Sequence, residues 1–129
     1  MIVYVDTSVV LARLFAEDRC PADRFWAQRL VCSRLLEYET LNRIHARGAA
    51  ASHGDDARRL IERVNLVEMT PAVLGRALLP FAQPARTLDA LHLATLEFLR
   101  AQGLDVRLAT YDQRLAGAAL GIGCLLADC

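Results

Sequence analysis

Four acidic side chains, Asp6, Glu39, Asp89 and Asp112, have the chemistry and the setting for catalysis or metal binding. Asp6 directly follows the apolar run Ile2-Val3-Tyr4-Val5, and Asp112 comes just after a second run, Val106-Arg107-Leu108-Ala109. Asp89 falls in the first turn of a strongly periodic helical segment, and Glu39 lies one turn into another. Taken singly, each has a structural alternative. Asp6 is a natural helix cap, Asp89 and Asp112 suit the positive end of a helix dipole, and Glu39 could pair with Arg43. Together, four carboxylates at one sheet edge repel by about 3 kcal/mol per pair, for charges ~5 Å apart at an effective dielectric near ~20. Protons or divalent cations relieve that repulsion. All-oxygen donors favour Mg²⁺ or Mn²⁺ over zinc, and a carboxylate-held ion with open positions supports in-line displacement at phosphorus.

Pattern and punctuation predict the elements that position these acids. Ile2 to Val5 reads as a strand closed by the capping residues Asp6-Thr7-Ser8, followed by a helix from Ser8 to Ala16. Pro21 opens a second helix carrying Phe25, Trp26 and Leu30, and Leu30-Val31-Cys32 makes a minimal strand. Ser33 begins a helix that runs to Arg47 and stops at Gly48. A short helix from Asp55 to Arg63, a strand from Asn65 to Met69 and a helix opened by Thr70-Pro71 follow. Thr87 to Gln102 is the clearest helix, with Leu88, Leu91, Thr95, Phe98 and Leu99 on one face and Gly103 as its stop. Thr110 and Gln113 have the spacing of a capping box for a helix ending at Gly121, and Cys124-Leu125-Leu126 forms a last strand. Strands alternating with helices give an α/β class with a parallel sheet of four or five short strands, covered on both faces. Ligands of such sheets gather beyond the carboxyl ends of the strands, where these acids fall.

With 129 residues, the chain supports one core. Its 54% hydrophobic and 23% charged content excludes wholesale disorder. No uncharged stretch reaches the ~18 apolar residues of a membrane span, and no export signal is expected at the start. Cys20, Cys32, Cys124 and Cys129 show neither C-x-x-C spacing nor scaffold density, so reduced thiols and a cytoplasmic setting are expected. Formal net charge is zero, and all 15 basic side chains are arginine. A nucleic-acid binder usually carries a basic excess. Setting aside the four candidate acids leaves eleven acids against fifteen arginines, about +4, which attracts a polyanion once cation is bound.

Four blocks in order, Val3-Tyr4-Val5-Asp6-Thr7-Ser8, Ser33-x-Leu35-x-x-x-Glu39, Asp89-Ala90-Leu91-His92-Leu93-Ala94 and Ala109-Thr110-Tyr111-Asp112-x-Arg114-Leu115, resemble a PIN domain. More specifically, the chain resembles the VapC-type toxins of bacterial type II toxin–antitoxin pairs. The resemblance spans residues 1–129 as a single domain and implies a Rossmann-like three-layer sandwich with strand order 3-2-1-4-5. It implies an Mg²⁺- or Mn²⁺-dependent endoribonuclease acting on RNA, a homodimer, and a cognate antitoxin that holds it inactive. By the same resemblance Asp6 is the central metal ligand, Asp89 and Asp112 complete the acidic pocket, and Glu39 binds metal directly or through water. Thr7, Ser8 and Thr110 hydroxyls would hold the pocket or contact a phosphate, their ordinary role being capping. Glu37 is the competing glutamate. It lies toward the apolar stripe of its helix, and the Ser33-to-Glu39 spacing favours Glu39.

His92, three residues after Asp89, is expected to hydrogen-bond where helix meets sheet rather than to bind metal. Phe25 and Trp26 with Leu11, Leu14 and Phe15 make either ordinary core or, as the family implies, a groove for an antitoxin helix. A receiver-like phosphorylated domain needs a lysine, which the chain lacks. A haloacid-dehalogenase-type phosphatase needs a second acid two residues after Asp6, where Ser8 stands. The alternative from a different class is a catalytically inactive or antitoxin-independent PIN-like domain that binds RNA or protein.

Overall fold

Ile2–Val5 (β1) is entirely buried, and its β-branched and aromatic residues suit a central strand packed on both faces. Leu30–Ser33 (β2), Asn65–Val67 (β3) and Val106–Ala109 (β4) join it in one parallel sheet. The computed structural model describes residues 1–129 and orders the strands β3-β2-β1-β4. Val3 stands opposite Leu30 on one side and Arg107 on the other, and Val5 stands opposite Ala109. From β1 the chain steps outward through β2 to β3, then returns to place β4 on the far side of β1. Ligands gather at that kind of reversal, and Asp6 and Asp112 fall beside it.

Thr7–Leu14 (α1), Leu35–Ala46 (α2) and Ala50–Glu62 (α3) pack against one another. Thr87–Ala101 (α5) packs on Pro71–Ala77 (α4) and Gln113–Gly121 (α6), and lies across β2 and β4. Right-handed crossovers put the outward-going helices on one face of the sheet and α5 on the other. Tyr4, Leu30, Leu36, Leu93, Leu96, Leu108 and Leu115 form the driest part of the core between these layers. Gly48 and Gly103 follow α2 and α5 with φ of +65° and +84°, the left-handed turn that ends a helix at little cost only for glycine.

Several expectations change. The fifth strand shrinks to one parallel bridge, Leu126 to Leu108, flanked by Leu108 N–H donating to Leu125 O and Ala127 N–H donating to Leu108 O. It sits beside β4 as the order 3-2-1-4-5 requires, but Leu125 and Leu126 are exposed and bury no second face. The helix expected after Pro21 is a single 3₁₀ turn, Asp23–Ala27, because the chain must reach β2 within three residues. Leu11, Phe25 and Trp26 are core, and Phe15 is covered by the Arg47 guanidinium 4.2 Å from its ring centre. Leu14 and Trp26 also line a surface cleft of about 540 Å³ together with Arg13, Arg59 and Arg63, so the stripe is part core and part cleft wall. On α5 the buried face runs through His92, Leu93, Leu96 and Leu99, while Leu88 is exposed. Leu88 belongs to a first turn that overhangs the carboxyl edge of the sheet, so helical periodicity there points to the cleft and not the core. The cap of α6 is Asp112, whose Oδ1 accepts from Arg114 N–H and Leu115 N–H, and not Thr110.

Candidate active site

The four acids singled out from the sequence line one cleft of about 390 Å³ at the carboxyl ends of β1 and β4. Asp6 enters from the cap of α1, Thr7, Ser8 and Leu11 from α1 itself, Glu39, Asn42 and Arg43 from α2, Leu88 and Asp89 from α5, and Asp112 from the cap of α6. Glu37 is elsewhere, paired with Arg34 at 3.3 Å. Arg43, read from the sequence only as a pairing partner for Glu39, and Asn42 stand four and three residues from Glu39 and share its helix face in the cleft.

Backbone pairing brings the first and last of these acids together. Asp6 N–H donates to Ala109 O at 3.0 Å, extending the β1–β4 ladder by one rung and setting Thr110 beside Asp6. Asp6 Oδ2 then accepts from Ser8 Oγ at 2.6 Å, from Thr110 Oγ1 at 2.8 Å and, at 3.4 Å, from Ser8 N–H. Ser8 Oγ in turn accepts from Tyr111 N–H, and Thr110 Oγ1 from Asp112 N–H, both at 3.0 Å. Both hydroxyl protons are committed to Asp6, so Ser8 and Thr110 hold the carboxylate and are not free to donate to a phosphate. The expected capping box does not form because Thr110 Oγ1 accepts from Asp112 N–H and Asp112 itself caps α6.

Glu39 is tied in the same one-sided way. Its Oε1 accepts from His92 Nε2 at 2.6 Å and from Thr7 Oγ1 at 3.3 Å. His92 is the expected junction residue between helix and sheet, with Nδ1 2.6 Å from the hydroxyl of Tyr4. Burial pushes the imidazole pKa down, while the Cys32 and Glu39 contacts raise it, for a net rise well above its ordinary value. Burial also raises the neighbouring Tyr4 and Cys32, so both keep their protons at neutral pH. Asp6, Glu39 and Asp112 thus each give one oxygen to the scaffold. The other oxygen is left for the cleft.

The acids surround the cleft without meeting at a point: no three of the chain's Asp, Glu, His and Cys side chains form a ready cage for an ion. The donor set nevertheless suits a hard cation such as Mg²⁺, which takes one or two carboxylates directly and keeps several waters. Asp89 registers the crowding. Its carboxyl is raised above the ordinary value by burial first, then by the charges of Asp112 and Asp6, with Glu39 adding and His92 opposing. A carboxyl raised by folding stabilises the fold only while protonated, and that contribution is lost as pH rises through the raised value. In chelator near pH ~7, Asp89→Asn should therefore melt a few degrees above the wild type, the gap closing toward pH ~3 where both forms are neutral. Calorimetric melting across that range checks it, and a lower melting point for the variant at neutral pH contradicts it.

Comparison with known sequences places the chain in a defined neighbourhood. The family model for the PIN domain matches residues 3–120. Ribonuclease VapC46 of Mycobacterium tuberculosis (strain ATCC 25618 / H37Rv) is 34% identical over 127 residues, covering 94% of this chain and 92% of that protein. Ribonuclease VapC47 of the same species (strain CDC 1551 / Oshkosh) is 27% identical over 133 residues, covering 98% and 96%.

Proposed function

The chain belongs to the PIN-domain family, and from that premise we propose that it is a metal-dependent endoribonuclease, the toxin of a bacterial type II toxin–antitoxin pair. The observation that carries this reading is the gathering of Asp6, Glu39, Asp89 and Asp112 around one cleft where strand order reverses. The names of the two mycobacterial relatives, both ribonucleases, support it. RNA is the substrate, Mg²⁺ or Mn²⁺ the cofactor, and a homodimer restrained by its antitoxin the working assembly. The setting is cytoplasmic. No helix is long and apolar enough to cross a membrane, and all four cysteines are unpaired, which fits a reducing compartment.

Asp6 and Glu39, each with one oxygen free, would hold the ion with Asp89 and Asp112. When bound, the ion supplies Lewis-acid stabilisation of charge at phosphorus and lowers the pKa of water. Everything else falls to the chain. Ser8 and Thr110 keep the Asp6 carboxylate from rotating, which fixes where its free oxygen points. Arg43, with Asn42 beside it at the cleft wall, is placed to grip a phosphate, a task that the planar guanidinium suits. Asp89, half-buried and crowded by the other acids, is relieved when positive charge enters.

The test is cleavage of a single-stranded RNA by the purified protein freed of its antitoxin. Cleavage should require Mg²⁺ or Mn²⁺, stop in excess EDTA and return when Mn²⁺ is restored. Undiminished cleavage in EDTA overturns the metal-dependent reading. Binding of RNA with no cleavage under any divalent ion replaces it with the inactive binding domain.

A further inference from the structure

Behind the cleft lies a buried polar chain that the nuclease reading does not use. Tyr4, in the middle of β1, is wholly buried, and its hydroxyl accepts from Ser33 N–H of β2 at 3.2 Å. That hydroxyl is 2.6 Å from His92 Nδ1, and His92 Nε2 is 2.6 Å from Glu39 Oε1. The Tyr4 and His92 rings meet edge to face, 5.8 Å between centres and 86° between planes, so packing fixes the imidazole as well. His92 is 1% exposed. A series of hydrogen bonds therefore runs from β2 through β1 and α5 to the glutamate of α2.

We propose that Tyr4 and His92 are positioning residues that lock the Glu39 carboxylate, so that its second oxygen is held toward the cation cleft. The donors and acceptors permit one arrangement at the glutamate. With neutral imidazole, the Tyr4 hydroxyl donates to Nδ1 and the remaining proton sits on Nε2, facing Glu39. With imidazolium, Nδ1–H donates to the Tyr4 oxygen, and Nε2–H still faces Glu39. Glu39 thus receives an N–H donor in either state. A glutamate side chain has three rotatable bonds, and an anchored Oε1 removes the freedom that would otherwise let it leave the cleft. Imidazoles play a related part where a carboxylate and a metal flank them, and losing such an outer partner weakens metal binding 10–100-fold. A merely structural histidine would need its own hydrogen bonds satisfied. It would not need Glu39 to be the group that satisfies them.

The inference rests on the nuclease reading for its consequence, and the experiments separate the two. His92→Leu should weaken Mn²⁺ binding by the purified protein, measured by calorimetry with Mn²⁺ alone, by about 10–100-fold. It should lower kcat for RNA cleavage comparably and leave KM nearly unchanged. His92→Gln, whose amide reaches the Nε2 position, should recover most of both. Tyr4→Phe keeps the ring and should lose less than His92→Leu. Wild-type Mn²⁺ affinity in a folded His92→Leu protein, or a His92→Gln as impaired as His92→Leu, overturns the proposal. Should the leucine variant fail to fold, nitrogen NMR of the metal-free wild type decides. An Nε2 proton whose resonance moves in Glu39→Gln supports the lock, and a proton on Nδ1 alone overturns it. A wild type that binds no Mn²⁺ counts against the nuclease reading, and the NMR result then decides the lock by itself.

Discussion

Asp6→Asn is expected to lower RNA cleavage by roughly 10³-fold or more while leaving the fold intact. Asp6 is the most tightly held of the four acids, with Ser8 and Thr110 both donating to Oδ2. Asparagine keeps nearly the same shape, caps a helix as well as aspartate, and can still accept those bonds through its carbonyl oxygen. What it removes is the charge. A hard cation gains little from an amide compared with a carboxylate, and the remaining three acids are less firmly placed. Alanine would be the poorer experiment, because it also deletes the cap of α1 and orphans two hydroxyls. Multiple-turnover cleavage and a thermal melt on the same preparation check both halves of the prediction. Near wild-type activity in a folded Asp6→Asn protein would falsify the proposed role of this acid.

The second large effect is on stability. Leu93→Ala should cost about 2–5 kcal/mol, a large share of the ~5–15 kcal/mol that a domain of this kind has in all. Leu93 is fully buried in the main core beside Leu96 and Leu99, on the helix that also carries Asp89 and His92. Truncation leaves a void between α5 and the sheet that well-packed neighbours cannot close. A melting temperature lower by roughly 10 °C is expected. Leu88→Ala is the control. Leu88 lies five residues back on the same helix and is 46% exposed, so its truncation should change stability by no more than about 0.5 kcal/mol. Denaturant titration of both variants checks the contrast. Equal losses would put Leu88 in the core after all.

That contrast also marks how far the sequence could be read. The strands and their terminal acids were legible because short β-branched runs end abruptly in capping residues, as at Val5-Asp6 and Ala109-Thr110. The inner face of α5 was not, since periodicity counts Leu88 as apolar and cannot tell that its turn overhangs the sheet edge. The Thr110 capping box failed because Asp112, two residues on, donates its N–H to Thr110 Oγ1 and takes the cap itself, while the Thr110 proton goes to Asp6. Glu39 was separable from Glu37 only by the Ser33 spacing, whereas in three dimensions one faces the cleft and the other pairs with Arg34. His92 could be placed at a helix–sheet junction, but its partners lie 88 and 53 residues away, beyond any local pattern. Hydrogen bonds between distant segments decide these details.

Calorimetric titration of the metal-free protein with Mn²⁺, beside Asp6→Asn, probes the ring of carboxylates most directly. Saturable binding by the wild type and a loss of at least tenfold in affinity in the variant is the predicted result. No heat of binding in the wild type, or binding that ignores the loss of Asp6, would contradict the assignment of this cleft to a divalent cation.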